Sequence, residues 1–102
     1  MNRKTRAMSA ATVAVLVALV DGISYGFDIM DATGLPSGTV YPILARLASR
    51  GLAESDWEDP LVPRAEGRPA RKYYRITAAG RSALATERER FGAMGLPLPK
   101  LP

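Results

Sequence analysis

Two groups of side chains in this sequence are equipped to grip a polyanion. Ser37, Thr39, Tyr41, Arg46, Ser49 and Arg50 are hydroxylated or cationic, and no acid falls between Gly34 and Leu52. Arg64, Arg68, Arg71, Lys72, Arg75 and Arg81 lie within residues 61–81 against Glu66 alone. That local excess of five exceeds the net charge of +4 carried by all 102 residues. The chemistry on offer is charge-assisted hydrogen bonding to phosphate, which needs donors in a fixed array and no bond making. The chain has no Cys and no His, which removes thiolate nucleophiles, the commonest general base and the commonest metal ligand. Glu54, Asp56, Glu58 and Asp59 form an acidic run, but they lack the Asp-x-Asp-x-Asp-Gly spacing of a calcium loop. The sequence thus predicts neither an enzyme nor a cofactor or metal site.

The elements that would position these groups follow from periodicity and punctuation. From Leu35 to Gly51, Val40, Ile43, Leu44 and Leu47 fall at i, i+3, i+4 and i+7, one apolar stripe of a helix. Ser37 is the expected N-cap and Gly51 the expected left-handed stop. Pro42 is then the fifth helical residue, where it removes one backbone bond and crowds the carbonyl of Gly38; a distorted first turn is expected. Before it, Ser24 is expected to cap a short helix over Tyr25 to Thr33 ended by Gly34, with Phe27, Ile29 and Met30 on its core side. Gly26 inside that helix costs up to about 1 kcal/mol relative to alanine, a cost that close approach by another helix or a phosphate backbone would offset. With the Gly34–Pro36 connector, the two helices make a helix-turn-helix.

Upstream, Ala7 to Val20 is apolar except for Ser9 and Thr12, and follows Arg3, Lys4 and Arg6. The pattern has the outline of a secretory signal, but no small-x-small cleavage site follows, and the run is too short to span a bilayer. A first helix over about Ser9 to Val20 is expected. Being apolar nearly all round, it is expected to be buried on more than one side, with a second subunit as a natural cover. No membrane association is expected. The lack of cysteine fits a cytoplasmic setting.

Downstream, Leu52 to Glu58 alternates as a strand, Asp59 to Ala70 reads as a loop with three prolines, and Arg71 to Ile76 reads as the returning strand. A basic hairpin directly after a helix-turn-helix makes a winged helix. Trp57 is assigned to strand packing. Thr77 is expected to cap a last helix running from Ala78 to Phe91 or Met94, with Leu84 and Phe91 on its buried face. Glu87, Arg88, Glu89 and Arg90 are read as mixed charges on a solvated or intersubunit surface. Gly95 to Pro102 reads as an extended, mobile tail. The predicted fold is mainly α with a small β-hairpin wing. One domain covers residues 1–94, with the wing at about 52–76, the last helix at about 78–94, and the tail at 95–102.

Ser24-Tyr25-Gly26-Phe27-Asp28-Ile29, the run from Gly34 to Leu47, Gly51-Leu52, the run from Gly67 to Thr77, and Ala79-Gly80 together resemble the PadR family of bacterial transcriptional regulators. The resemblance covers about Ser9 to Leu84. What it implies is a homodimeric winged helix-turn-helix protein that binds operator DNA, usually as a repressor, with N- and C-terminal helices forming the dimer. Some members release DNA on binding a small molecule. This chain is similar to the small, single-domain branch. The flat aromatic pair that some small members use for drug-like ligands has no tryptophan counterpart on the last helix, where Phe91 is the only aromatic.

On this reading the partner is double-stranded DNA. The third helix enters the major groove while phosphate contacts set its register. Ser37, Gly38 and Thr39 sit where free N–H groups and the helix dipole favour a phosphate. Tyr41 either bonds a phosphate or packs under the wing, and Tyr25 faces the same choice. Arg46 is directed to phosphate or guanine, or pairs with a nearby acid. Arg68, Arg71 and Lys72 are expected to track the phosphate backbone or minor groove. The alternative is a winged helix that serves as a protein-interaction module without specific DNA binding.

Overall fold

The hydroxyl of Ser9 accepts from the Thr12 N–H at 3.1 Å and starts helix α1, Ala10–Val20. This computed structural model describes residues 7–99. The basic residues Arg3, Lys4 and Arg6 and the last three residues of the tail lie outside the described residues. Helix α1 buries Val13, Val15, Leu16, Ala18 and Leu19. Its apolar circumference suggested a second subunit, yet one chain covers most of it, with the helix packed against elements from all along the sequence. The two helices of the helix-turn-helix, the last helix and the second strand of the hairpin all pack on it.

Helix α2 spans Gly26–Thr33 and ends at Gly34, whose φ of 73° is the left-handed conformation glycine adopts without strain. Tyr25, not Ser24, holds the N-cap position, and no side chain caps it. Ser24 is used otherwise, since its carbonyl accepts from the Tyr74 N–H at 2.8 Å. Ile29 is buried and Met30 partly so, but Phe27 is 61% exposed and is not a core residue. The Thr33 hydroxyl donates to the Ile29 carbonyl and accepts from the Leu35 N–H, which fixes the turn.

Helix α3 spans Ser37–Ser49, with Pro36 at the N-cap and its carbonyl accepting from the N–H groups of Thr39 and Val40. Ser37 is thus the first helical residue rather than the cap, a shift of one. Pro42 becomes the sixth residue, and the helix runs through it unbroken. Val40, Ile43, Leu44 and Leu47 are all buried, as their spacing requires.

Strands β1 (Ala53–Trp57) and β2 (Lys72–Ile76) pair antiparallel, from Ala53 opposite Ile76 to Trp57 opposite Lys72. Tyr25 forms an isolated bridge with Tyr73, so the residues before α2 extend the hairpin on its far side. Between the strands the expected loop contains a six-residue helix, α4, Leu61–Glu66. Asp59 starts it by accepting from the Leu61 N–H at 2.9 Å. Pro63 sits in the first turn, where its missing N–H had no helical acceptor to lose. Trp57 is 66% exposed at the end of β1, so it does not pack within the sheet.

Helix α5 spans Ala78–Ala93, and Thr77 Oγ1 accepts from the Gly80 N–H at 3.0 Å as expected. Gly80 lies against the Leu52 carbonyl and 2.7 Å from Ile76 Cγ1 for an added Cβ, so no larger residue fits there without moving backbone. The buried stripe is Gly80, Leu84, Glu87 and Phe91. Glu87 is therefore a core position, 4% exposed, and not a solvated charge. Its Oε1 accepts from Arg90 at 2.6 Å and from the Met8 N–H at 3.3 Å, while Arg90 also donates to the Met8 carbonyl. The N-terminal segment is clamped to α5 through both groups of one residue. After Gly95 the chain reverses, and Leu98 packs against the core, so the described part of the tail is held.

Candidate nucleic-acid interface

With its apolar stripe buried, α3 turns Ser37, Gly38, Pro42, Ala45 and Ser49 outward. This ridge is small and free of acids, so a groove edge can approach the helix backbone closely. No side chain caps the N-terminus, which leaves the Ser37 and Gly38 N–H groups and the positive end of the dipole beside the Ser37 hydroxyl. Thr39 is half-buried on one flank. Tyr41 and Arg46 occupy opposite flanks of the ridge.

Tyr41 is 42% exposed, and its ring lies on Gly26 of α2. A Cβ on residue 26 would fall 2.6 Å from Tyr41 Cε1 and 2.9 Å from its hydroxyl oxygen. The close approach that accounts for this glycine is therefore by a side chain of the next helix. Tyr25 stands in an aromatic cluster with Phe27 and the wing. Its ring is 6.0 Å from Tyr73 and 6.5 Å from Phe27, and the Arg71 guanidinium stands 4.8 Å above it. Stacking on a ring face holds Arg71 in place without neutralising it. Lys72, on the other face of the hairpin, places its ammonium 5.6 Å from the Trp57 ring and 5.9 Å from that of Tyr74. Among the described residues neither Arg71 nor Lys72 makes an ion pair.

Arg68 differs. Its guanidinium grips Glu58 with two bonds of 2.7 and 2.8 Å and reaches Glu66 at 2.7 Å, leaving the side chain 19% exposed. The expectation that Arg68 tracks a phosphate backbone meets a side chain already fully engaged. Its structural work is to tie the loop containing α4 to the end of β1. Glu58 also accepts from the Arg71 N–H at 3.0 Å. Its bond to Arg68 is the main cause that brings its carboxyl from 4.5 down to about 2, and the Arg71 N–H adds to it. Glu58 likewise holds Arg68 above its ordinary range. Arg75 is also neutralised, bonded to Glu54 at 2.8 Å and Asp56 at 2.9 Å across the hairpin. The acidic run is therefore the partner of part of the basic run. It reduces the wing's positive potential and leaves Arg64, Arg71 and Lys72 without an ion pair among the described residues.

Arg46 finds no acid among the described residues. With Arg50, one turn later, it borders a groove between the C-terminal half of α3, the start of α1 and α5. The structure does not bring the predicted set together at one point: Tyr41 lies on Gly26, Arg71 stacks on Tyr25, Lys72 stands over Trp57, Arg68 is tied to Glu58, Ser37 to Thr39 form the helix start, and Arg46 stands apart on the far flank. Sequence reading missed the Glu58–Arg68 brace, because residues ten apart across a proline-rich loop carry no periodic signal.

A helix-turn-helix followed by a basic two-stranded hairpin, packed on flanking helices, is a winged helix-turn-helix protein. Residues 15–86 match the Transcriptional regulator PadR-like family, and the chain belongs to that family. It is a transcriptional regulator rather than an enzyme. Solved structures agree. A PadR-like transcription factor from Bacteroides fragilis is 25% identical with a TM-score of 0.71, over 82% of each chain. BpsR of Bordetella bronchiseptica, whose DNA binding is regulated by 6-hydroxynicotinic acid, is 26% identical with a TM-score of 0.66, over 90% of this chain and 67% of that one. A PadR family regulator from Clostridium difficile shares the fold, with a TM-score of 0.72 at 22% identity over 85% of this chain and 92% of that one. No curated protein matches the chain by sequence. Among the described residues no helix is long and apolar enough to cross a membrane.

Proposed function

We propose that this protein is a dimeric repressor that binds operator DNA through α3 and the wing. The observation that carries this reading is the acid-free outer face of α3, flanked on the wing by two cations, Arg71 and Lys72, that no described acid neutralises. In this arrangement the start of α3 (Ser37, Gly38 and Thr39) takes a phosphate, and Tyr41 and Tyr25 offer hydroxyls beside it. Arg71 and Lys72 hold the flanking backbone from the wing, and Arg46 reaches a phosphate from the opposite flank. Arg68 positions the wing and is withdrawn from the contact set. The outward ridge offers few groups for reading bases, since serine accepts more than one edge and the ridge has no Asn or Gln. Much of the specificity then rests on dimer spacing and groove shape.

Release by a small organic molecule follows by analogy with the Bordetella protein. A mobility-shift assay with the DNA upstream of the protein's own gene tests the reading. Retardation of that fragment at lower protein concentration than random duplex supports it. Absence of binding to either duplex at low salt overturns it and favours a protein-interaction module.

A further inference from the structure

The outward ridge of α3 is poorer in hydrogen-bonding groups than a phosphate-gripping surface needs to be. Gly38, Pro42, Ala45 and Ser49 are all exposed and fall at i, i+4, i+7 and i+11, the line opposite the buried stripe. Pro42 has no backbone N–H, and the side chain of Ala45 is a single methyl group. The Ser49 hydroxyl donates to the Arg46 carbonyl at 3.0 Å, so its proton is used within its own helix. Gly38 has no left-handed φ, and an added Cβ there would meet nothing within 4 Å. Neither backbone conformation nor packing within the chain therefore calls for glycine, which is a poor helix former. Close approach by a partner to the helix backbone accounts for it.

We infer that this ridge reads thymine by its C5 methyl group, through the Pro42 ring and the Ala45 methyl. The inference rests on the proposed placement of α3 in the major groove and names what the helix recognises there. Every base pair shows its own set of groups in that groove, and the thymine methyl is the apolar one among them. Carbon on the ridge matches that methyl. A cytosine in its place would lose the contact and bring an amino donor beside carbon, where no acceptor replaces water. Pro42 and Ala45 lie three residues apart, about 4.5 Å along the helix axis. That is close to the base-pair step of about 3.4 Å, so the two contacts fall on neighbouring pairs. In the proposed placement Tyr41 and Arg46 hold phosphates on either flank, and the small ridge between them lets the backbone at Gly38 come close. Sequence preference then comes from apolar fit, with hydrogen bonds directed to the phosphates.

An operator is first selected from a random duplex pool with the full-length protein. Each thymine of that operator is then replaced by uracil, which removes the methyl and leaves the pairing edges intact, and affinity is read by fluorescence anisotropy. At two neighbouring pairs of a half-site, uracil is expected to weaken binding about fourfold for each methyl removed. Exchanging one of these T·A pairs for C·G should weaken it further, and 5-methylcytosine at that position should recover part of the loss. In Ala45→Gly the uracil penalty should vanish at one of the two positions while the salt slope stays that of the wild type. Pro42→Ala should reduce the penalty at the other. Circular dichroism checks that both variants fold, and the uracil arm needs no variant. Uracil tolerated at every thymine overturns the inference, as does a selected half-site without thymines at neighbouring pairs. A penalty that persists at full size in both variants overturns the assignment to Pro42 and Ala45. Failure of the DNA-binding reading would show earlier and separately, because no sequence would then be enriched from the pool.

Discussion

The ring of Tyr41 rests on Gly26, so that α3 meets α2 through an aromatic side chain where any other residue at position 26 would put a Cβ. The contact fixes the angle between the two helices of the helix-turn-helix. It also decides where the Tyr41 hydroxyl emerges. Gly26→Ala gains helix propensity of up to about 1 kcal/mol but must displace the ring, for a net loss of about 1 kcal/mol. With Tyr41→Ala in place, the same substitution should be neutral or stabilising. A double-mutant cycle by urea denaturation should return a coupling of about 1 kcal/mol or more, and a coupling near zero would remove the contact from the account.

The wing's cations should divide by their partners. Lys72→Ala is expected to weaken binding to every duplex alike and to lower the slope of log affinity against log salt by roughly one. Arg75→Ala should leave both nearly unchanged, because Glu54 and Asp56 already hold that guanidinium. Fluorescence anisotropy across a salt series separates the two outcomes.

Acid should loosen the wing. Glu58 is lowered from 4.5 to about 2 in the folded protein, first by its hydrogen bonds to Arg68. A carboxyl depressed on folding contributes stability that is fully present above the unfolded value and fades as pH falls from about 4.5 through about 2. Carboxyl-carbon NMR should place the Glu58 midpoint well below that of exposed glutamates. Glu58→Gln should flatten the acid limb of a melting-temperature profile over the same window.

Glu87 lies in the buried stripe of α5 with its carboxylate shared between Arg90 and the Met8 N–H. Glu87→Ala leaves these donors without an acceptor and should cost about 2 kcal/mol in chemical denaturation. Glu87→Gln keeps an acceptor and should recover part of that loss. Amide exchange at Met8 should accelerate in the alanine variant first.

Sequence periodicity revealed α3 because its apolar stripe repeats over three turns and leaves a clean polar face. Thr77 and Gly34 were legible because capping and left-handed termination depend on local backbone chemistry alone. Helix α4 was hidden, because six residues bear too little periodicity and Pro63 reads as a breaker outside a first turn. Glu87 was hidden because a charge in a buried stripe is interpretable only once Met8, far away in sequence, is placed beside it. The same limit applied to the basic loop. Counting charges gives a strongly positive wing, whereas Arg75 is matched by Glu54 and Asp56 of β1, and Arg68 by Glu58 just after it and by Glu66. Residue types marked a candidate interface, and long-range pairing determines which of its cations lack an acid partner among the described residues.

The central claim is that the start of α3 and the wing of this chain face duplex DNA. Amide and side-chain NMR shifts during titration with a duplex that binds test it most directly. The account predicts that the largest changes fall at Ser37, Gly38, Thr39, Arg71 and Lys72, with Arg75 nearly silent. Changes confined to the exposed faces of α4 and α5, with the α3 amides unmoved, would contradict it.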